Sequence, residues 1–271
     1  MYADLHMHST YSDGTDTPLE LCQLALQNNI NVISITDHDS IEGVKSLLGE
    51  DLPKDVKIIP GVELSLMSQG KMIHILGYYI DLFDGRLEQF IDQISDDVSK
   101  NAKKLFERAL NDKAFDYTWE RVVLLNPGRA RISGSSVIKA MRLDSYTPPR
   151  MSLDDMFYKY FFRKSDDLSL NEYDAVDVIK AVGGIPVIAH PAEMEDDEIV
   201  VKLIKHGAMG LEVFHPSNSK EDTIKYKQMA EACNLHITGG TDWHGNNNRF
   251  DTHFGMYGLD SDKYSILNVE R

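Results

Sequence analysis

The sequence predicts an α/β fold in which seven β/α units form a closed or nearly closed barrel carrying an α-helical insertion. Three observations carry this reading. Seven short runs are rich in apolar and β-branched residues, helix-like segments separate most of them, and one internal stretch, residues 81–170, breaks the alternation. Alternating strands and helices imply a largely parallel sheet covered on both faces, and in barrels of that kind chemistry sits at the carboxyl ends of strands.

The expected strands are Tyr2–His6, Val32–Thr36, Lys57–Leu66, Met72–Ile80, Ile185–His190, Gly210–Phe214 and His236–Gly240. Thr17-Pro18-Leu19-Glu20 supplies an N-cap, a proline at the first helical position and an acid in the first turn. Leu21, Leu24, Ala25 and Leu26 follow at helical spacing up to Asn28-Asn29. A second helix runs from Asn171-Glu172 through Val176, Ile179 and Val182 to Gly183-Gly184, and a third covers Ser219–Asn234. Residues 1–80 and 171–271 therefore form the expected barrel, with 81–170 as a helical lid or substrate subdomain. Within that insertion Arg86–Asn111 is a long helix whose apolar face is Leu87, Phe90, Ile91, Ile94, Val98, Ala102, Leu105 and Ala109. Shorter helices are expected at Tyr117–Leu125, Gly134–Met141 and Ser152–Arg163.

At 271 residues the chain can bury a full core, and 42% hydrophobic with 26% charged residues is an ordinary globular composition. The formal charge of -15 opposes attraction to long nucleic acids, which relies on lysine and arginine releasing counterions from phosphates. The opening MYADLHMHS has neither a basic segment nor an apolar run, and no stretch approaches the ~18 apolar residues that span a bilayer. A cytoplasmic protein without a membrane partner is expected. Cys22 and Cys233 lie apart in helix-like segments and read as free thiols.

Six of the ten histidines lie at or near strand ends: His6 and His8, His38, His74, His190, and His244. Imidazoles need polar partners, so this repeated placement predicts one shared centre. In His6-Met7-His8 an extended backbone turns both rings to one side, because side chains alternate with a period of two. Asp13, Glu63 and Asp242 add carboxylates. Mixed nitrogen and oxygen donors suit zinc, manganese or iron better than magnesium or calcium. His74 falls near the start of its strand, which predicts that this strand runs against the others. Residue chemistry alone does not divide the ligands among ions.

The segments DLHMHSTYSDG, ITDHD, PGVELS, HILGYY, IAHP, LEVFHPSN and GGTDWHG, in this order and reaching both termini, resemble the PHP family of polymerase and histidinol phosphatase domains. The resemblance is to its nucleoside 3',5'-bisphosphate and oligonucleotide phosphatase-like members. It implies a distorted seven-stranded β/α barrel and a trinuclear centre, and two to three divalent ions of manganese, zinc or iron per chain are the expected cofactors. By the same carry-over His6, His8, Glu63 and Asp242 hold the first ion, Asp13, His38 and His244 the second, and Glu63, His74 and His190 the third. Such a centre implies hydrolysis of small phosphate esters by metal-activated hydroxide. Asp4, Asp37 and Asp39 are candidates for orienting the ligand imidazoles.

His215, after the sixth strand, matches the family and is expected to contact phosphate or protonate the leaving oxygen. Arg131 and Lys164 are the expected phosphate contacts, with Arg129 and Arg163 beside them in the insertion. Here the chain departs from its relatives: Gly128-Arg129-Ala130-Arg131 stands where they carry Gly-Arg-Pro-His, and Phe161-Phe162-Arg163-Lys164-Ser165 replaces a glycine-rich basic loop. His206, His236 and His253 read as structural or surface residues. Two other readings remain open: an amidohydrolase-like metal hydrolase, whose bridging lysine would stand where Glu63 does, and a non-catalytic metal-binding module. The expected partner is a small phosphorylated substrate, and the oligomeric state is not predicted.

Overall fold

Pro60 decides the first departure from the expected strand pattern. In the computed structural model, which describes residues 2–68, 71–126, 131–161, 169–245, 250–260 and 264–269, the run Lys57–Leu66 is two strands and not one. Proline has no N–H for the ladder, so pairing stops before it and resumes after. The chain runs β1 (Tyr2–Met7), α1 (Pro18–Gln27), β2 (Val32–Ile35), α2 (Glu42–Lys45), β3 (Lys57–Ile58), β4 (Gly61–Ser68) and β5 (Lys71–Tyr78). Then come α3 (Gly85–Asn111), α4 (Trp119–Leu124), α5 (Gly134–Leu143) and α6 (Leu153–Met156), which continues as a π-helical turn over Phe157–Phe161. The remainder is α7 (Glu172–Ala181), β6 (Ile185–Ile188), α8 (Asp197–His206), β7 (Gly210–Phe214), α9 (Lys220–Ala232), β8 (His236–Gly239) and β9 (Leu259–Asp260).

Two compact units emerge, one of Met1–Ser65, Ile73–Glu88 and Glu172–Arg271, the other of Leu66–Met72 and Gln89–Asn171. The strands form two sheets, ordered β3-β2-β1-β9 and β4-β5-β6-β7-β8, with no closed sheet among the described residues. The fold is mixed α/β. Parallel pairs join β1 to β2, β2 to β3, β6 to β7 and β7 to β8. As His74 suggested, β5 runs antiparallel to β6, and so does β9 to β1. Two isolated parallel bridges, Met7 with Trp243 and His38 with Glu63, link the sheets.

In the first unit α1 starts as its sequence dictates: the Glu20 N–H donates to Thr17 Oγ1 at 3.3 Å, and the Glu20 carboxylate accepts the Thr17 N–H at 2.7 Å. Its Leu21, Cys22 and Ala25 pack with Met7, Ile33 and Ile35. A second cluster gathers Ala3, Leu5, Leu76, Tyr78, Ile185, Val187 and Ala189. The helix α8 and the strand β9 were not anticipated. For α8 the signals exist: Asp196 caps it, acids fill its first turn, and Gly207 at φ 125° ends it.

The second unit has a core of its own, in which Leu105, Phe106 and Ala109 of α3 pack with Phe115, Val122, Val137, Met141, Met156 and Phe161. All eight residues of the expected apolar face of α3 are buried. Among the described residues no helix is long and apolar enough to cross a membrane.

Candidate metal centre

The nine residues singled out from the sequence as metal ligands all belong to the first unit. His6 sits near the end of β1, with His8 just beyond it and Asp13 in the following turn. His38 follows β2, His190 lies two residues past β6, and Asp242 and His244 follow β8. Glu63 differs from these in lying near the start of a strand, as the third residue of β4. The break at Pro60 explains this. β3 occupies the lower flank of β2, pairing Val32 with Lys57 and Ile33 with Ile58, so β4 starts at the level where β2 ends and His38 bridges Glu63. Gly61 permits the step, since a Cβ there would lie 2.2 Å from Ser34 Oγ. On the other side Gly240 lets β8 approach β1: a Cβ would meet the backbone N and the Cβ of His6 at 2.4 Å.

Glu63, only 1% exposed, is the hub. Its Oε2 lies 3.3 Å from His6 Nε2, 3.2 Å from His8 Nε2 and 3.0 Å from His38 Nδ1, while Oε1 lies 3.0 Å from His74 Nδ1 and 3.1 Å from His190 Nε2. Asp242 Oδ1 is 3.0 Å from His8 Nε2 and 3.4 Å from His6 Nε2. Asp13 Oδ1 faces His244 Nε2 at 3.2 Å. The His8 ring is stacked between His38 and His244, at 4.4 and 4.2 Å between centroids. Among the described residues four groups place donor atoms close enough to share a cation: His8, Asp13, His38 and His244; His6, His8 and Glu63; His38, Glu63 and His74; and His6, Glu212 and His215.

These donors fit a cation better than they fit each other. His6 Nε2, His8 Nε2, His38 Nδ1 and Glu63 Oε2 are buried without a hydrogen-bond partner, although their separations are short. Buried polar atoms normally pair, so converging lone pairs of this kind mark a site built for a positive ion. Charge coupling is correspondingly strong. Burial pushes the Glu63 carboxyl up, but His38, His74 and His6 outweigh it and hold it well below the usual range. Burial likewise opposes charge on His6, yet Glu212, Glu63 and Asp242 raise it well above an ordinary imidazole. His8 is pushed up to about 10: burial lowers it, and the adjacent carboxylates of Asp242 and Glu63 prevail. For His38 burial wins, and the ring is held well below the ordinary value.

Around the hub, supporting acids act mainly on backbone. Asp4 accepts from the N–H of Thr241 at 3.0 Å, from Gly255 at 3.1 Å and from His6 at 3.3 Å, tying β1 to the segment that carries Asp242. Asp39 accepts the Ser65 N–H at 2.7 Å. Asp37 takes the Ser9 N–H at 2.7 Å and the Ser12 hydroxyl at 2.6 Å, and that hydroxyl lies 3.4 Å from His8 Nδ1. Asp37 thus reaches His8 through the Ser12 hydroxyl, and Asp4 supports His6 through its backbone N–H and not its ring. His190 and Asp242 adopt left-handed backbone, at φ 25° and 51°. Such conformations persist in non-glycine residues only where the surroundings enforce them.

His215, expected to meet substrate, is 1% exposed, with Nε2 3.5 Å from Asp242 Oδ2. Glu212 escaped the sequence reading. It is fully buried, 2.9 Å from His6 Nδ1. The available signal was an acid inside the strand GLEVF, where burial on both faces leaves no room for a solvated carboxylate. Arg131 belongs to the second unit. Lys164, with Arg129 and Arg163, lies outside the described residues. His206 pairs with Asp177 at 3.1 Å and His236 with Ser265 at 2.8 Å, apart from the cluster.

Known proteins are similar to this chain over most of its length. The phosphoribosyl 1,2-cyclic phosphate 1,2-diphosphodiesterase of Eggerthella lenta is 28% identical over 90% of this chain and 95% of its own. The 5'-3' exoribonuclease Rnm of Salmonella typhimurium is 26% identical over 89% of this chain and 84% of its own. The 3',5'-nucleoside bisphosphate phosphatase of Chromobacterium violaceum is 25% identical over 89% and 86%. A solved structure of an inferred metal-dependent phosphoesterase from Bifidobacterium adolescentis superposes with a TM-score of 0.79 at 24% identity, covering 96% of this chain and 93% of that one, a likeness of fold. The PHP domain profile matches residues 4–213, which take in Glu63 and its five imidazoles, and this chain belongs to the PHP domain family.

Proposed function

We propose that the chain is a metal-dependent phosphoesterase that hydrolyses small phosphate esters, phosphomonoesters foremost, with a nucleotide or the end of a short oligonucleotide as substrate. One observation carries this: both oxygens of a single buried carboxylate, Glu63, face five imidazoles at 3.0 to 3.3 Å. A bridging carboxylate of this kind keeps cations close against their repulsion. His6, His8, Asp13, His38, Glu63, His74, His190, Asp242 and His244 would hold two to three manganese, zinc or iron ions, nine side chains being more than one tetrahedral ion uses. Bound divalent ions supply Lewis acidity toward phosphoryl oxygens and lower the pKa of water. The protein's own part is to keep the ligand nitrogens buried and aimed at one centre. The helical unit is assigned to substrate choice, with Arg131 and Lys164 as its anion contacts, an assignment supported by their charge and place in the sequence.

We also read the two sheets as one distorted seven-stranded ring, β2-β1-β8-β7-β6-β5-β4, supported by the Met7–Trp243 and His38–Glu63 bridges. A cytoplasmic setting belongs to the same proposal. Phosphodiester cleavage is a second reading, favoured by the Eggerthella lenta and Salmonella typhimurium relatives. The net charge of -15 argues for short rather than long polynucleotides.

The test is a panel of nucleoside phosphates, a cyclic phosphate and short oligonucleotides, assayed with manganese, zinc and iron. Phosphate release from at least one small monoester, inhibited competitively by inorganic phosphate, is expected. Cleavage of diesters alone would favour the second reading, and ammonia from amides without any phosphate release would move the chain to amide hydrolysis.

Loading should also release protons. His8 without metal is raised to about 10, so at pH 8 it carries a proton that ligation displaces. Metal affinity therefore rises with pH up to about 10 and falls on acidification. Calorimetric zinc titrations in buffers of different ionisation enthalpy should show net proton release at pH 8, and no release would contradict the role of His8.

A further inference from the structure

The strand β7 and the turn after it carry two buried polar side chains outside the nine-residue set. Glu212 divides its oxygens between two partners. Its Oε1 lies 2.9 Å from His6 Nδ1, and its Oε2 accepts the backbone N–H of His190 at 2.8 Å. A carboxylate accepts hydrogen bonds and does not donate them, and one oxygen of Glu212 already takes the His190 N–H. His6 Nδ1 is therefore the nitrogen that donates to Glu212, and Nε2 is the one left facing Glu63 and Asp242.

His215 has the opposite arrangement. Its Nδ1 accepts the backbone N–H of Ser217 at 3.1 Å and lies 2.7 Å from the Ser217 hydroxyl. A donor at Nδ1 places the ring proton on Nε2, which is 3.5 Å from Asp242 Oδ2. The other oxygen of Asp242 is the one that faces His8 and His6. His6, Glu212 and His215 have donor atoms within 4.8 Å of one another, yet these hydrogen bonds use His6 Nδ1 and His215 Nδ1 and leave a proton on His215 Nε2. They form a frame and not a further cation site.

We propose that the Glu212–Ser217 segment fixes the tautomers of the centre: Glu212 makes His6 a ligand through Nε2, and Ser217 turns the His215 Nε2–H toward Asp242 Oδ2, 3.5 Å away, while Oδ1 stays turned to the cluster. Glu212 and His215 are thus positioning residues, and His215 acts on Asp242 rather than on the phosphate. The segment reaches three of the nine residues, since Glu212 also secures the left-handed backbone of His190. This inference rests on the metal-dependent reading above.

The experiment measures zinc affinity by chelator competition in the full-length wild type, His215→Ala, His215→Gln and Glu212→Gln. Inhibition by inorganic phosphate is measured in parallel on zinc-saturated protein. Losing a partner that orients a ligand typically costs about 10–100-fold in metal affinity. His215→Ala and Glu212→Gln should both fall in that range, the latter because an amide cannot accept from the ring and the backbone at once. His215→Gln, whose amide N–H can replace the Nε2 donor, should recover most of the loss. Phosphate inhibition of the saturated variants should be unchanged within about threefold, well under the range just given. Wild-type zinc affinity in His215→Ala together with weakened phosphate inhibition would overturn the inference and make His215 a substrate contact. Equal losses in His215→Ala and His215→Gln would overturn the donor role. Absence of zinc binding by the wild type would instead overturn the metal-dependent reading itself.

Discussion

Glu63→Gln is expected to remove hydrolysis while leaving the fold in place. The carboxylate faces five imidazoles with both oxygens, and a neutral amide has one acceptor to offer where two are used. Loss of a bridging ligand removes several kcal/mol of charge stabilisation, and about 4 kcal/mol corresponds to roughly a 10³-fold fall in rate. Turnover of a small phosphomonoester at saturating manganese reads this effect, and circular dichroism reads the fold. A variant with near-normal turnover would remove Glu63 from the centre.

Asp4→Ala should cost stability as well as activity. Asp4 is fully buried and accepts the N–H groups of Thr241 and Gly255 and the Thr241 hydroxyl, so truncation strands donors from the segment that carries Asp242. Each buried donor left unpaired costs about 1–3 kcal/mol. A total near 3 kcal/mol lowers Tm by roughly 6–12 °C for a chain of this size class. Calorimetry of metal-free protein isolates this effect from ligation, and an unchanged Tm would show that water or a shifted backbone satisfies those donors.

Much of the centre was legible because its residues come in local patterns. His6 and His8 are two apart on an extended segment and both meet Glu63, and Asp242 and His244 repeat that spacing, with Asp242 facing His6 and His8 where Met7 bridges Trp243. The direction of β5 was readable from where His74 falls. Glu212 was not legible, because its meaning depends on His6 and His190 in distant parts of the chain. The split at Pro60 was missed because apolar enrichment continues across it, although the missing N–H was a local signal for a break. Helix α8 was overlooked where an acidic run masks its amphipathic face, in which Ile199, Val200 and Leu203 are buried. For Asp4 and Asp37 the sequence suggested support of imidazoles, whereas Asp4 holds backbone N–H groups and the Thr241 hydroxyl, and Asp37 holds the Ser9 N–H and the hydroxyls of Ser9 and Ser12. A buried carboxylate beside an orphan N–H finds that partner as readily as a ring, and sequence alone does not distinguish the two.

The count of ions bound by protein never exposed to chelator tests the central claim most directly. Elemental analysis of such a preparation should find two to three transition-metal ions per chain, held by the nine residues around Glu63. Full loading with no more than one ion would contradict the multinuclear centre.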